Sequence, residues 1–76
     1  MSADNGISVA YNTGEYEVLY WQGEETSRVI RKFAFAIPAI LHAHHQQNNE
    51  HTEYGVSVSN NVLIHAIREF KRQISL

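Results

Sequence analysis

Four of the five histidines lie within one stretch of ten residues: His42, His44, His45 and His51. Imidazole nitrogens are common ligands of zinc and nickel, and on a helix His42 and His45 would present their rings on one side. The chain has no cysteine, and it lacks the two histidines four residues apart, with a glutamate after the first, that metalloproteases use. Because spacing fixes no third ligand, we interpret the cluster as a solvated helix end. His42 and His45 remain weak metal candidates, and no cofactor is predicted.

His65 and Glu69 lie four residues apart in the last segment of the chain. Such a pair could act as a general base and the carboxylate that orients it. Spacing fixes no nucleophile near them, and Gly6, Gly14 and Gly23 are too scattered to form a phosphate-binding loop. We therefore interpret His65 and Glu69 as a surface helix pair, and we predict that the protein is not an enzyme.

Length and composition place these residues in one small domain, 1–76. A chain of 76 residues buries only about 60% of its unfolded surface, and without cysteine it has no disulfide, so self-association is one route to stability. Apolar residues make up 43%, which is typical of a globular protein. The formal net charge of −2 argues against a nucleic-acid partner. No signal peptide and no apolar run of about 18 residues is present, so we expect no membrane partner and a cytoplasmic location.

The first part of the chain is typical of a β-hairpin. Ile7 to Tyr11 alternates large and small residues, which predicts a half-buried strand. Asn12 to Gly14 is a turn signal, because glycine readily adopts positive φ. Glu15 to Trp21 is rich in aromatic and β-branched residues and forms the second predicted strand.

The segment from Ser27 to Phe35 fits either a strand or a helix. Pro38 favours the strand, because a helix running through it would be destabilised by about 3 kcal/mol. Proline is instead common in the first turn of a helix. We therefore predict a third strand at Ser27–Phe33 and a first helix at about Ile37–Gln47.

The last third of the chain contains a predicted strand and a predicted helix. Thr52 to Ser59 forms the strand, with Gly55 in its interior as a bulge or a close backbone approach. The helix that follows is capped by Ser59, Asn60 or Asn61. Its apolar residues recur at helical spacing in a single stripe: Val62, Leu63, Ala66, Ile67, Phe70 and Ile74.

These elements predict an α+β fold with the order β-β-β-α-β-α. Hairpins should arrange the first three strands as a meander, and two helices should pack on one face of a single small sheet. The fourth strand follows a helix, so it could run parallel to a neighbour through a crossover connection.

The sheet face opposite the helices is the predicted partner-binding surface. If Val9 and Val18 point to the helices, alternation places Leu19, Trp21 and Ile30 together on the open face. Apolar patches rimmed by charge mark interfaces, and tryptophan and arginine are enriched at binding hot spots. The alternative is that Trp21 belongs to the core. The candidate partner-binding residues are Leu19, Trp21, Ile30, Glu17, Arg28 and Lys32.

The chain begins Met1-Ser2-Ala3-Asp4-Asn5-Gly6-Ile7 and contains Glu53-Tyr54-Gly55-Val56. In these segments it resembles small uncharacterised proteins of tailed bacteriophages, many of which begin in the same way. That family has no established activity to carry over. The resemblance implies a protein that works in the cytoplasm of the infected host. The Asp4–Gly6 segment also fits a turn that leads Ile7 into the first strand.

The function predicted from these features is that of a small non-catalytic phage accessory protein. It would bind a host protein and modulate or inhibit a host enzyme or a defence complex. One alternative is a self-assembling homodimer that buries Leu19, Trp21 and Ile30 against its own copy. A weaker alternative is a histidine-dependent binder of a metal or another small ligand.

Overall fold

The computed structural model describes residues 5–23, 26–50 and 54–74. It confirms the α+β class and the order β-β-β-α-β-α, with one four-stranded sheet and two helices. The elements are β1 (Asn5–Asn12), β2 (Glu15–Gln22), β3 (Thr26–Phe33), α1 (Ala36–Glu50), β4 (Val56–Val58) and α2 (Asn60–Ile74).

The sheet begins with the predicted hairpin. β1 and β2 are antiparallel and pair from Asn12 with Glu15 back to Asn5 with Gln22. The loop between them has only two residues, Thr13 and Gly14, with φ of 52° and 82°. A turn with two successive positive φ values matches the right-handed twist of the flanking strands, which is why such turns are favoured in two-residue hairpin loops. This turn fixes the register of the whole hairpin.

The strand order is β3-β2-β1-β4, so the first three strands form the predicted meander and β4 lies at the far edge. β4 runs parallel to β1, and Ile7 N donates to the carbonyl of Gly55 at 2.9 Å. The predicted strand Thr52–Ser59 was too long. Gly55 has φ of 72°, which is not a strand conformation, so β4 begins after it rather than running through it. Residues 51–53 lie outside the described residues.

The core lies between the sheet and the helices. α1 begins at Ala36 with Pro38 in its first turn, as predicted. Three alanines of α1 are fully buried, and their small side chains let the helix lie close to the sheet. The fully buried core residues are Ile7, Val9, Val18, Ala36, Ala39, Ala43 and Val62.

β3 contains a bulge that the sequence did not reveal. Val18 pairs with Arg31, whereas the next residue of β2, Leu19, pairs with Val29. Ile30 is therefore the extra residue of β3, and the alternation of faces changes at this point. As a result Ile30 packs against the core instead of lying on the open face.

Hydrogen bonds define where α2 begins and connect it to α1. Val62 N donates to Ser59 Oγ at 3.4 Å, so Ser59 is the cap among the three predicted candidates. Near the other end, the carboxylate of Glu69 accepts hydrogen bonds from the backbone of Ala36 at 2.6 Å and of Ile37 at 3.0 Å. The start of α1 has no acidic residue of its own, and α2 supplies one.

Candidate functional site

The sheet has one face that points away from both described helices. Alternation along β2 places Leu19 and Trp21 on this face, because Val18 between them is fully buried on the other. Both are half-buried, and they border a shallow depression whose remaining walls are three serines: Ser8, Ser27 and Ser57. The predicted placement of Leu19 and Trp21 on the open face is therefore observed.

Trp21 is held in a defined position by a glycine and a tyrosine. It pairs with Gly6 across the hairpin, and its indole lies over the Gly6 backbone so closely that a Cβ at Gly6 would lie 2.6 Å from Cζ2 of the ring. Tyr54 stacks on the same indole with ring centroids 5.7 Å apart and planes at 22°. Tyr54 is 58% exposed, so the stacked pair stands at the surface.

Val29 completes the apolar part of this face in the place predicted for Ile30. It pairs with Leu19 and is 42% exposed, because the β3 bulge turns it outward and Ile30 inward. We name Leu19, Trp21, Val29 and Tyr54 the open-face patch. The homodimer predicted through Leu19, Trp21 and Ile30 would therefore lack Ile30.

The charged residues predicted around the patch divide between the two faces. Glu17 and Lys32 are cross-strand neighbours with Oε2 and Nζ 3.9 Å apart, and they lie beside the patch as predicted. Arg28 does not. It pairs with Tyr20, and its guanidinium carbon lies 5.5 Å from the centre of that ring on the helix side of the sheet. The bulge explains this too, because it shifts the alternation for every residue of β3 that precedes it.

A polar cleft lies at the other side of the sheet, between β2 and α2. The Tyr16 hydroxyl and Nδ1 of His65 are hydrogen-bonded at 2.8 Å, and the Tyr11 ring meets the His65 ring edge-on. Burial, then the nearby Glu69 and Tyr11, raises the pKa of Tyr16 above its usual 10.0. The cleft has a volume of about 260 Å³, which is below the range of roughly 300–1,000 Å³ that is typical of small-molecule sites.

His65 and Glu69 do not form the surface pair that their spacing predicts. His65 is hydrogen-bonded to Tyr16, and both carboxylate oxygens of Glu69 accept hydrogen bonds from backbone N–H groups at the start of α1. These hydrogen bonds engage Nδ1 of His65 and both carboxylate oxygens of Glu69, so the two side chains are not paired with each other as a base and its orienting carboxylate would be. Spacing along one helix could not reveal this, because both partners come from distant parts of the chain.

His42 and His45 of α1 have different neighbours. The ring of His42 packs against Phe33 with centroids 5.4 Å apart, whereas His45 is hydrogen-bonded to Asn49 at 3.3 Å. Nε2 of His42 is buried and has no hydrogen-bond partner among the described residues. Burial, then Arg31 and His45, lowers the pKa of His42 below its usual 6.5. Within residues 5–23, 26–50 and 54–74, no three His, Asp or Glu side chains are grouped in a way that could hold a metal ion.

Neither helix in the described part of the chain combines the length and the apolar character needed to cross a membrane. Within the described residues, the fold and the site define a small α+β protein with one sheet face that neither helix covers and an aromatic pair stacked on it. Comparison with known proteins found no matching family model, no matching curated protein and no matching solved structure.

Proposed function

We propose that this chain is a small non-catalytic accessory protein that binds another protein on the open face of its sheet. The observation that carries the proposal is the position of Trp21, which lies over Gly6 and stacks on Tyr54 on the face opposite the helices. Tryptophan is among the residues most enriched at binding hot spots. A ring that is already immobilised loses little conformational entropy when a partner covers it.

The surroundings of the ring support the same proposal. The serines beside Leu19 and Trp21 are small, so they leave the apolar surface accessible to a partner. Glu17 and Lys32 supply charge at its border. An apolar centre with a polar rim is the usual organisation of a protein interface.

The two residues that suggested catalysis, His65 and Glu69, support a structural role instead. His65 is hydrogen-bonded to Tyr16 of β2, and Glu69 accepts hydrogen bonds from the backbone of α1, so the two residues hold α2 against β2 and α1. The kind of partner is proposed from the resemblance to tailed-phage proteins. That resemblance points to a protein of the infected host, either an enzyme or a component of a defence complex.

The test is affinity capture from a bacterial lysate, followed by binding measurements with the purified captured protein. We expect Trp21→Ala to weaken binding by at least about tenfold, since a hot-spot side chain contributes about 2 kcal/mol or more. Because Trp21→Ala removes contacts within the fold, Val29→Glu is the second variant. Val29 is 42% exposed on the edge strand, so a carboxylate there should change the face without changing the core.

Ile67→Glu is the matched control. Ile67 is also a β-branched aliphatic residue, and it is 55% exposed on α2, on the helix side of the molecule. We expect the control to bind the captured protein as the unmodified chain does. If folded Val29→Glu binds equally well, the open face is not the docking surface.

A further inference from the structure

α2 leaves most of its apolar stripe uncovered. Val62 is fully buried, but the four large side chains of the stripe that follow it remain exposed to 45%, 55%, 56% and 66%. These four are separated by four, three and four residues, which is the spacing of a coiled-coil seam. We name them the α2 seam: Leu63, Ile67, Phe70 and Ile74.

The seam is exposed because hydrogen bonds fix the rotation of α2 about its axis. His65 is bonded to Tyr16, and Glu69 is bonded to the backbone of Ala36 and Ile37, so these residues face inward beside Val62. Successive residues are about 100° apart around a helix, which places the centre of the seam about 110° from Val62. The helix cannot turn to bury the seam without breaking both sets of hydrogen bonds.

The seam continues onto the neighbouring helix. Ile37 of α1 and Ala66 of α2 line one apolar groove together with the seam, and Lys71 borders it. This groove lies on the helix side of the sheet, so it is separate from the open-face patch.

We propose that the α2 seam packs against the α2 seam of a second copy of this chain, with the two helices antiparallel. In that arrangement Ile67 faces Phe70 of the second copy, and Leu63 faces Ile74. Each large side chain thus meets another large apolar side chain, and the contact is complementary to itself, as a two-fold interface must be. A seam of this spacing is suited to another helix of the same spacing.

The helix dipoles favour the antiparallel direction. A parallel pair would place the two positive N-terminal ends side by side and the two negative C-terminal ends side by side, whereas an antiparallel pair places opposite ends together. The cations of α2 do not oppose the contact. Because successive residues are about 100° apart around a helix, Arg68 and Arg72 lie on the side away from the seam, and only Lys71 flanks it.

The buried area indicates a reversible dimer. The exposed parts of the four seam residues amount to on the order of 400 Å² per copy, or roughly 800 Å² for the pair, and Ile37 and Ala66 add to this. Stable interfaces bury about 1,200–2,000 Å², and smaller ones are weak or transient. Interfaces of about 1,600 Å² range from micromolar to picomolar affinity, so we expect this smaller contact to have a dissociation constant in the micromolar range or above.

Sedimentation equilibrium over a range from about 1 µM to about 1 mM tests the proposal, because it spans the expected dissociation constant. The unmodified chain should pass from monomer to dimer. Ile67→Glu should weaken the dimer by at least about tenfold, because it buries an unpaired charge at the contact. Val29→Glu, the matched control on the open face, should dimerise like the unmodified chain. A protein that stays monomeric at the highest concentration overturns the proposal, as does a dimer that Val29→Glu disrupts and Ile67→Glu does not.

Cysteine cross-linking tests the direction, and the absence of natural cysteine makes the result unambiguous. Ile67→Cys and Phe70→Cys chains are mixed and oxidised with diamide. The antiparallel pairing predicts that the mixed disulfide predominates. A predominance of Ile67→Cys chains joined to one another would instead show a parallel pair and contradict the proposed packing. Because the two surfaces have different variants, loss of this dimer and loss of partner binding on the open face are distinguished.

Discussion

At the scale of single residues, the contact between Gly6 and Trp21 is the feature most specific to this chain. A large aromatic residue opposite a glycine covers backbone that would otherwise be exposed, and the glycine gives the ring space to lie on the sheet. This also changes the interpretation of the segment Asp4–Gly6 as a turn, of which Asp4 lies outside the described residues. Asn5 and Gly6 belong to β1, and the glycine is needed for space rather than for a turn conformation.

Gly6→Ala should displace the indole, because the new Cβ would lie 2.6 Å from the ring. We expect a loss of unfolding free energy of about 1–3 kcal/mol, as for other overpacked sites. The single tryptophan reports the change directly, so its fluorescence emission should shift to longer wavelength. Ser8→Ala, on the same strand and face, is the control and should leave the emission unchanged. An unchanged spectrum for Gly6→Ala would contradict this view of the contact.

His42 should make the stability of the fold depend on pH. Its pKa is lowered in the folded state, chiefly by burial, so the unfolded chain binds the proton more tightly. The contribution of His42 to the free energy of unfolding is then fully present above the usual pKa of about 6.5 and is progressively lost as the pH falls below it.

Urea unfolding between about pH 5 and pH 8 measures this effect. His42→Leu should flatten the slope below about pH 6.5, because the group that takes up the proton on unfolding is gone. His44→Gln changes an exposed histidine of the same helix and should keep the slope. A slope that is equal in His42→Leu and the unmodified chain would show that another group is responsible.

At the scale of elements, the start of α1 depends on α2. Glu69 bridges two backbone N–H groups at the first turn of α1, a role that local sequence usually fills. It therefore joins the two helices and also holds α2 in the rotation that exposes its seam.

Glu69→Gln should lower the unfolding free energy by about 1–2 kcal/mol, because one carboxylate acceptor and its favourable interaction with the helix dipole are lost. Urea unfolding provides the measurement. Glu15→Gln, which removes an exposed carboxylate from β2, should have little effect. Equal stabilities for the two variants would mean that the cap contributes nothing.

The β1–β2 turn contains a residue that is poorly suited to it. Thr13 has φ of 52°, a conformation that is costly for a β-branched side chain, whereas asparagine tolerates it well. Thr13→Asn should therefore raise the unfolding free energy by about 0.5–1 kcal/mol. Thermal unfolding followed by circular dichroism checks this. Thr13→Val, which keeps the branching, should not stabilise, and a gain there would point to a cause other than the backbone conformation.

At the scale of the whole molecule, self-association and folding should be coupled. A second copy that binds only the folded chain stabilises it by mass action. Raising the protein concentration from about 10 µM to about 1 mM should therefore raise Tm by about 5 °C. The Tm of Ile67→Glu should not depend on concentration. A concentration-independent Tm for the unmodified chain would argue against the seam as a contact between copies.

Much of this fold could be predicted from local patterns. The two-residue turn sets the hairpin register, so the pairing of Gly6 with Trp21 was implicit in the position of Thr13 and Gly14. Pro38 correctly separated β3 from α1. Ile30 and Arg28 were misplaced because a bulge changes the face of a residue without a clear local signal, and alternation was assumed to continue through it.

By itself, the sequence determined the order of elements, the first hairpin and the presence of Leu19 and Trp21 on one face of β2. These depend on local spacing, turn chemistry and the conformations that glycine and proline allow. Only the tertiary structure decided the face of Ile30, the use of Glu69 as a cap for another helix and the exposure of the α2 seam. Each of these is set by contacts between residues far apart in the chain. A periodic pattern shows that a helix has an apolar side, but the hydrogen bonds that fix its rotation decide whether that side is buried.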